Sequence, residues 1–170
     1  MKFKGKMAVK VCNFYVNNWH LLTILFSYLN KNINEKTNVI TILEDDLENY
    51  AETLIEKIIL NNKDKEKIID INWRKTDVEN EGFEDYFKSG ITENNRVIII
   101  VNGKVDYIES ANGAIYNLIK KTGMYGKRIK IINCFDVSDE NMNMGDVLNE
   151  HESVLNTSGE IKVEDFACNN

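Results

Sequence analysis

Short runs of β-branched and apolar residues alternate with longer segments of helical periodicity, and this alternation restricts the fold more than any other feature. The run from Val97 to Val101 is apolar at every position, which is typical of a strand buried on both faces. Strands that alternate with helices predict βαβ units, a mostly parallel sheet and helices on both of its faces. We therefore expect an α/β fold, a three-layer αβα sandwich around a mostly parallel five-stranded sheet of the Rossmann-like kind.

The periodicity also predicts approximate element bounds. We expect strands at 8–15, 38–43, 67–73, 96–101 and 128–135. We expect helices at 21–33, 47–58, 83–88, 105–121 and 140–155, with Gly123 as a C-terminal stop. A chain of 170 residues with 43% hydrophobic content is long enough for one core. We expect a single domain over 1–170, with its core at about 7–156 and an extended tail over 157–170.

Charge and composition exclude several classes of function. The net charge of -6 argues against nucleic-acid binding, which needs clustered Lys and Arg. No apolar run approaches the roughly 20 residues of a membrane span, and no signal-peptide pattern follows the basic start, so we expect a cytoplasmic protein. The cysteines have neither CxxC nor metal-ligand spacing, and we expect Cys12 and Cys134 to be buried thiols within strands.

The turn after the first strand stands where a nucleotide-binding α/β protein carries its glycine-rich phosphate loop. Residues 14–20 read Phe-Tyr-Val-Asn-Asn-Trp-His and contain no glycine. Gly103-Lys104 follows another strand, but Ile98 and Val105 stand where a P-loop needs Gly and Ser or Thr. We therefore expect no conventional ATP or dinucleotide site and no cofactor.

The carboxyl ends of the predicted strands are the expected ligand site, because ligands of such sheets bind in the crevice outside those ends. Aromatic, amide and carboxylate side chains are found there, a mixture typical of a small-molecule pocket. The predicted ligand-binding residues are Phe14, Tyr15, Asn17, Trp19, His20, Glu44, Asp45, Trp73, Asn102 and Asp136.

Each of these groups also has a structural interpretation. Glu44, Asp45 and Asp46 could hold Mg²⁺ or cap the next helix, and Asp136 could act as a base or bond within a turn. Trp73 could line a pocket or pack in the core. We expect His151 to be a hydrogen-bonded histidine at the core edge. The GxSxG nucleophile motif is absent, so we predict no catalytic residue. We favour helix capping for the acidic cluster, so we predict no metal ligand.

Three stretches of the sequence resemble the MEDS domain, the sensory domain named from methanogens and methylotrophs. The first is Val11–Tyr15, which leads on to Asn34–Ile42, and the second is Glu44–Asp45. The third is Ile131–Asp136, which is followed by Val147–His151 and Val154–Leu155. The chain departs from that family at Glu152, where a proline is usual, in its first strand, which lacks the usual histidine, and in its tail, which lacks Asn-Pro.

The resemblance implies a RecA/KaiC-like core with a degenerate phosphate loop, and a sensory role with a small organic ligand. The leading expectation is a non-catalytic module that binds such a ligand, or a signalling partner, at the strand carboxyl ends. One alternative is an interaction scaffold or homodimerising adaptor that uses the wide apolar arc of the helix at 21–33. The other is a Mg-dependent enzyme that uses strand-end carboxylates.

Overall fold

A six-stranded sheet forms the centre of the structure, a computed structural model that describes residues 8–58, 65–91, 96–124 and 128–168. The strands are β1 (Val9–Tyr15), β2 (Thr37–Leu43), β3 (Arg96–Gly103), β4 (Arg128–Asp136), β5 (Ser153–Asn156) and β6 (Gly159–Lys162). Their order across the sheet is β2-β3-β4-β1-β5-β6. Neighbouring strands are parallel except for the antiparallel pair β5 and β6. The carboxyl ends of β1 to β5 therefore lie at one edge.

Helices cover both faces of this sheet. One face carries α1 (Asn18–Asn32), α2 (Glu48–Lys57) and α3 (Lys65–Ile69), and the other carries α4 (Phe83–Ser89), α5 (Val105–Thr122), α6 (Met144–Asn149) and α7 (Val163–Cys168). The predicted three-layer α/β sandwich is thus confirmed, but its sheet has six strands and not the expected five. Across the described ranges, no helix has both the length and the apolar character that crossing a membrane would require.

Strand β3 shows why the central run is apolar at every position. Ile98 and Ile100 pack into the core under α1, whereas Val97, Ile99 and Val101 pack into the core under α5. All five side chains are fully buried. A strand between two helical layers has no solvent face, so no position of β3 favours a polar side chain.

Helix α1 has a wide apolar arc because it packs on the sheet and on neighbouring helices at once. Its buried side chains are Leu21, Leu22, Ile24, Leu25, Phe26, Tyr28 and Leu29, and it contacts both α2 and α3. The arc is therefore covered by the chain itself, and the expectation that it offers a surface to a partner is wrong.

The strand predicted at 67–73 is wrong. Helix α3 ends at Ile69, and an irregular segment follows it past the outer edge of β2. The Nζ of Lys67 donates to the carbonyl oxygens of Asn34, Glu35 and Thr37 at 3.0, 2.6 and 3.4 Å. The Lys67 side chain thus bonds to the chain at the start of β2, where a strand ladder was expected. A short apolar run such as this one fits a helix as well as a strand.

The helix predicted at 140–155 is also wrong over most of its length. Helix α6 covers only Met144–Asn149, and β5 then pairs with β1 in parallel. Val154 packs into the core under α5 and Leu155 into the core under α1. Adjacent residues that face opposite cores require an extended backbone, which explains the strand.

The tail predicted to be extended forms β6 and α7. Gly159 has a φ of 117° and pairs with Asn156, so that Thr157 and Ser158 form a tight turn. Gly123 has a φ of 68° at the end of α5, as predicted for a C-terminal stop.

Candidate functional site

Three of the predicted site residues meet at the carboxyl edge of the sheet. The buried Asn102 donates from Nδ2 to the hydroxyl of Tyr15 at 3.2 Å. The Oδ1 of Asn102 and its carbonyl oxygen both accept from the backbone N–H of Glu44, at 3.2 and 3.1 Å. Burial raises the pKa of Tyr15, so its hydroxyl stays protonated. This network joins the ends of β1, β2 and β3.

Glu44 also holds the turn that follows β3. Its Oε1 accepts from the backbone N–H of Lys104 at 2.9 Å. Gly103 has a φ of 146°, and a Cβ there would lie 2.8 Å from both Cβ and Oε1 of Glu44. The glycine therefore leaves space for the carboxylate, which is used inside the protein to order the turn.

The turn between β1 and α1 is closed by its own side chains. Asn17 Oδ1 accepts from the backbone N–H of His20 at 2.9 Å, and His20 Nδ1 accepts from the backbone N–H of Val16 at 3.2 Å. Trp19 is 44% exposed and packs edge-on against Tyr50, with ring centroids 4.9 Å apart. An N-cap side chain thus occupies the place where a nucleotide-binding protein would present free N–H groups to a phosphate.

The other predicted residues are spread over the molecule. Phe14 packs near Phe135 on the α5 face of the sheet, whereas Trp73 is buried on the α1 face against Phe26. Asp45 is exposed, and Asp136 Oδ1 accepts from the N–H and hydroxyl of Ser138 within a turn. Phe14 and Trp73 lie on opposite faces and do not share a pocket.

A cleft of about 340 Å³ opens between α5 and α6, over the strand β4. We call it the α5–α6 cleft. Its apolar wall is formed by Val105, Ile108, Phe135 and Val147. Val105 follows the end of β3, and the loop after β4 also lines the cleft, so it begins beside the carboxyl edge of the sheet.

Three buried polar side chains line this cleft, and we call Asn112, Asn133 and His151 the polar triad. Asn112 Nδ2 donates to Asn133 Oδ1 at 2.8 Å, and Asn133 Nδ2 donates to Asn112 Oδ1 at 3.1 Å. Asn133 Nδ2 also lies 3.1 Å from His151 Nε2, and His151 Nδ1 lies 2.6 Å from the carbonyl oxygen of Val147. All three side chains are at most 7% exposed.

The hydrogen bonds of His151 define its tautomer. The carbonyl oxygen of Val147 can only accept, so Nδ1 carries the proton, and Nε2 accepts from Asn133. Burial lowers the pKa of His151, against the opposing effect of the bond to Val147. The ring is therefore neutral near pH 7, and the prediction of a hydrogen-bonded histidine at the core edge is confirmed.

No protein-family model matches the chain, and no curated protein matches it significantly. The resemblance to the MEDS domain therefore stays a prediction. Within the part of the chain that the structure describes, no three His, Cys, Asp or Glu side chains are grouped so as to hold a metal ion.

Asn112 and Asn133 were not among the residues predicted from the sequence. Each interrupts an apolar pattern: Asn133 lies between Ile132 and Cys134 in a buried strand, and Asn112 follows Ala111 on the buried side of α5. A polar residue within a buried face is informative, because its hydrogen bonds must be supplied inside the protein. That signal was present in the sequence.

Proposed function

We propose that this protein is a non-catalytic sensory or regulatory module that binds a small molecule where the carboxyl ends of β3 and β4 open into the α5–α6 cleft. The main observation behind the proposal is the polar triad, which lies buried in a cleft that also has an apolar wall. Ligand pockets commonly combine an apolar lining with a few fixed polar groups, at volumes of roughly 300–1,000 Å³.

The chemistry of the triad supports binding over catalysis. Its histidine is neutral, and both of its ring nitrogens are engaged by Val147 and Asn133. A general base needs a free nitrogen within reach of the substrate proton. The two asparagines can orient a ligand but cannot exchange protons with it near pH 7.

A thermal-shift screen of small metabolites tests this proposal. A ligand at about 100 times its Kd stabilises a protein by roughly 2.7 kcal/mol, which shifts Tm by several degrees. Asn149→Trp should block the cleft, because Asn149 is an exposed residue of its lining. Asn117→Trp is the matched control, since Asn117 is exposed on α5 but does not line the cleft.

We expect any active compound to raise the Tm of the wild type and of Asn117→Trp equally, and to raise that of Asn149→Trp less. The proposal fails if no compound shifts Tm, or if Asn149→Trp responds as fully as the control.

The second candidate is an interaction module or homodimer, and exposed apolar side chains at the carboxyl edge favour it. Val16, Trp19 and Val137 are 64%, 44% and 40% exposed. The N–H of Val137 donates to the carbonyl of Tyr15 at 3.1 Å, so Val137 lies beside the residue that follows Tyr15. Exposed apolar groups that adjoin one another mark protein contacts.

Sedimentation at two protein concentrations tests the homodimer. Val16→Ser with Val137→Ser should weaken self-association, whereas Ile69→Ser, at an exposed apolar site on α3, should leave it unchanged. A wild type that stays monomeric at both concentrations would rule the homodimer out.

A further inference from the structure

We infer that the ligand of the α5–α6 cleft is a small aliphatic amine, bound as its ammonium ion. The inference rests on the proposed function, because it names the ligand class of the same site. Three features of the cleft support it: the donor and acceptor count of the polar triad, the charge of the rim and the apolar wall.

The first feature is that the triad has no free donor. Each asparagine amide carries two N–H groups. Asn112 uses both, one on the Ile108 carbonyl at 2.9 Å and one on Asn133. Asn133 also uses both, on Asn112 and on His151 Nε2, while His151 donates from Nδ1 to the Val147 carbonyl. Every N–H group of the triad is therefore occupied within the protein.

The triad does keep capacity to accept. A carbonyl oxygen has two lone pairs, and the Oδ1 atoms of Asn112 and Asn133 each accept one hydrogen bond, from the other asparagine. One lone pair remains on each oxygen. A ligand that donates hydrogen bonds can use these atoms, whereas a carboxylate or phosphate finds no donor on the triad.

The second feature is the negative charge at the mouth of the cleft, and we call the exposed carboxylates there the rim. Glu109, Asp146 and Glu150 are exposed residues of the cleft lining, and Lys10 is the only cationic side chain among the lining residues that the structure describes. None of the three carboxylates forms an ion pair with another described residue. Three negative charges against one positive charge favour a cation at the cleft mouth.

The third feature is the wall. Ile108, Phe135 and Val147 present apolar surface in the same cleft as the rim and the triad. An alkyl chain can pack there while its ammonium group donates to the asparagine oxygens or to the rim carboxylates. A fully hydrated metal ion would gain nothing from this surface, so the cleft favours an organic cation.

Titration with three compounds of similar length tests the inference. The probes are 1,4-diaminobutane, the uncharged 1,4-butanediol and the dianion succinate. Binding is measured by calorimetry at low salt, and its location by the NMR signals of the Asn112 and Asn133 side-chain amides and of the His151 ring. We expect the diamine to bind and shift these signals, the diol to bind at least about tenfold more weakly, and succinate not to bind.

Charge variants give the matched control. Glu109→Gln with Glu150→Gln should weaken diamine binding about tenfold, because two rim carboxylates are lost. Glu52→Gln with Glu56→Gln makes the same change in net charge at exposed sites of α2, on the opposite face. This control should bind the diamine as the wild type does.

The outcomes separate the inference from the proposed function. Equal binding by the two double variants overturns the inference. Binding of the diol, of succinate or of a neutral compound from the screen, with shifts at the triad and no effect of the diamine, also overturns it but leaves the proposed function standing. If no compound shifts the triad signals, both the inference and the proposed function are wrong.

Discussion

At the scale of single residues, His151 shows most clearly how burial selects one chemical state. Its ring is bonded at both nitrogens and meets the Phe135 ring edge-on, with centroids 5.8 Å apart. The charged groups that affect it are Lys10, Glu150 and Glu152, and their effects are smaller than that of burial. Protonation would cost desolvation and would replace the bond accepted from Asn133 by a clash of donors.

The first prediction concerns pH. Burial lowers the pKa of folded His151, so the unfolded chain takes up its proton at a higher pH than the folded protein does. The free energy of unfolding should therefore fall as the pH drops from the ordinary histidine pKa of about 6.5 towards the folded pKa. Below the folded pKa, the stability that neutral His151 contributes is fully lost. Urea unfolding across this range should show a smaller fall for His151→Gln than for the wild type.

Glutamine keeps an acceptor for Asn133 and a donor for Val147, so His151→Gln should fold. His20→Gln is the control, because it retains His151 and its contribution. An NMR titration in which the His151 ring gains its proton at or above pH 6.5 would contradict the prediction.

The second prediction concerns the buried thiols. Cys12 and Cys134 lie on neighbouring strands but in cores on opposite faces of the sheet, so they cannot form a disulfide. Burial raises the pKa of Cys12 to about 12, and it raises the pKa of Cys134 as well. Because the thiolate is the reactive form, both should resist alkylation while the protein is folded.

The measurement uses Cys168→Ser, so that only these two thiols remain. Mass spectrometry should show modification by iodoacetamide about a hundredfold slower in the folded protein than in urea. Fast labelling of either thiol without denaturant would show that its strand opens.

At the scale of elements, the start of α1 depends on one side chain. Asn17 has an extended backbone and accepts from the N–H of His20, as an N-cap residue does. The rest of the helix is held by its buried apolar arc. The cap therefore stabilises the first turn, where Asn18, Trp19 and His20 are at least partly exposed.

Replacement of this cap gives the third prediction. Asn17→Ala should lower the free energy of unfolding by about 1 kcal/mol, because the His20 N–H loses its partner. Asn17→Asp should retain the bond and place a negative charge at the positive end of the helix dipole, so it should be at least as stable as the wild type. Urea unfolding measures both.

Asn117→Ala serves as the control, since Asn117 is exposed within α5 and makes no cap. If Asn17→Ala proved as stable as the wild type, the capping bond would contribute nothing in solution.

At the scale of the whole molecule, the segment after β5 is part of the fold. Strand β6 pairs with β5, and Ile161, Val163 and Phe166 pack against the core under α5. Lys130 of β4 also pairs with Glu160 at 2.8 Å. Burial alone would lower the pKa of Lys130, but its bonds to Glu160 and Tyr28 raise it overall, so its ammonium form is favoured.

Truncation after Asn156 is the fourth prediction. It removes β6 and α7 and exposes apolar surface, so the free energy of unfolding should fall by about 2 kcal/mol or more. Glu160→Gln should cost less than about 1 kcal/mol, because it removes only a partly exposed ion pair. An unchanged urea midpoint for the truncated chain would show that the segment adds nothing to the core.

The sequence predicted correctly those elements whose own residues show a clear strand or helix periodicity. These elements lie within a few residues of the expected bounds, and they are β1, β3, β4 and α5. The segments 67–73 and 140–155 were not predicted correctly, because their short apolar runs satisfy either geometry. Which geometry forms depends on which side of the sheet each residue reaches, as Val154 and Leu155 show.

The candidate site was also predicted from the sequence only in part. The carboxyl edge follows from the order of strands and helices, and so Tyr15, Glu44 and Asn102 were predicted to lie there. The polar triad was not, because Asn112 and Asn133 are 21 residues apart and meet only when α5 packs on β4. The sequence by itself determined the layers and the edge of the sheet, since these depend on local periodicity. Only the tertiary structure decided which polar side chains share a cleft, because that depends on how helices and strands pack across the sheet.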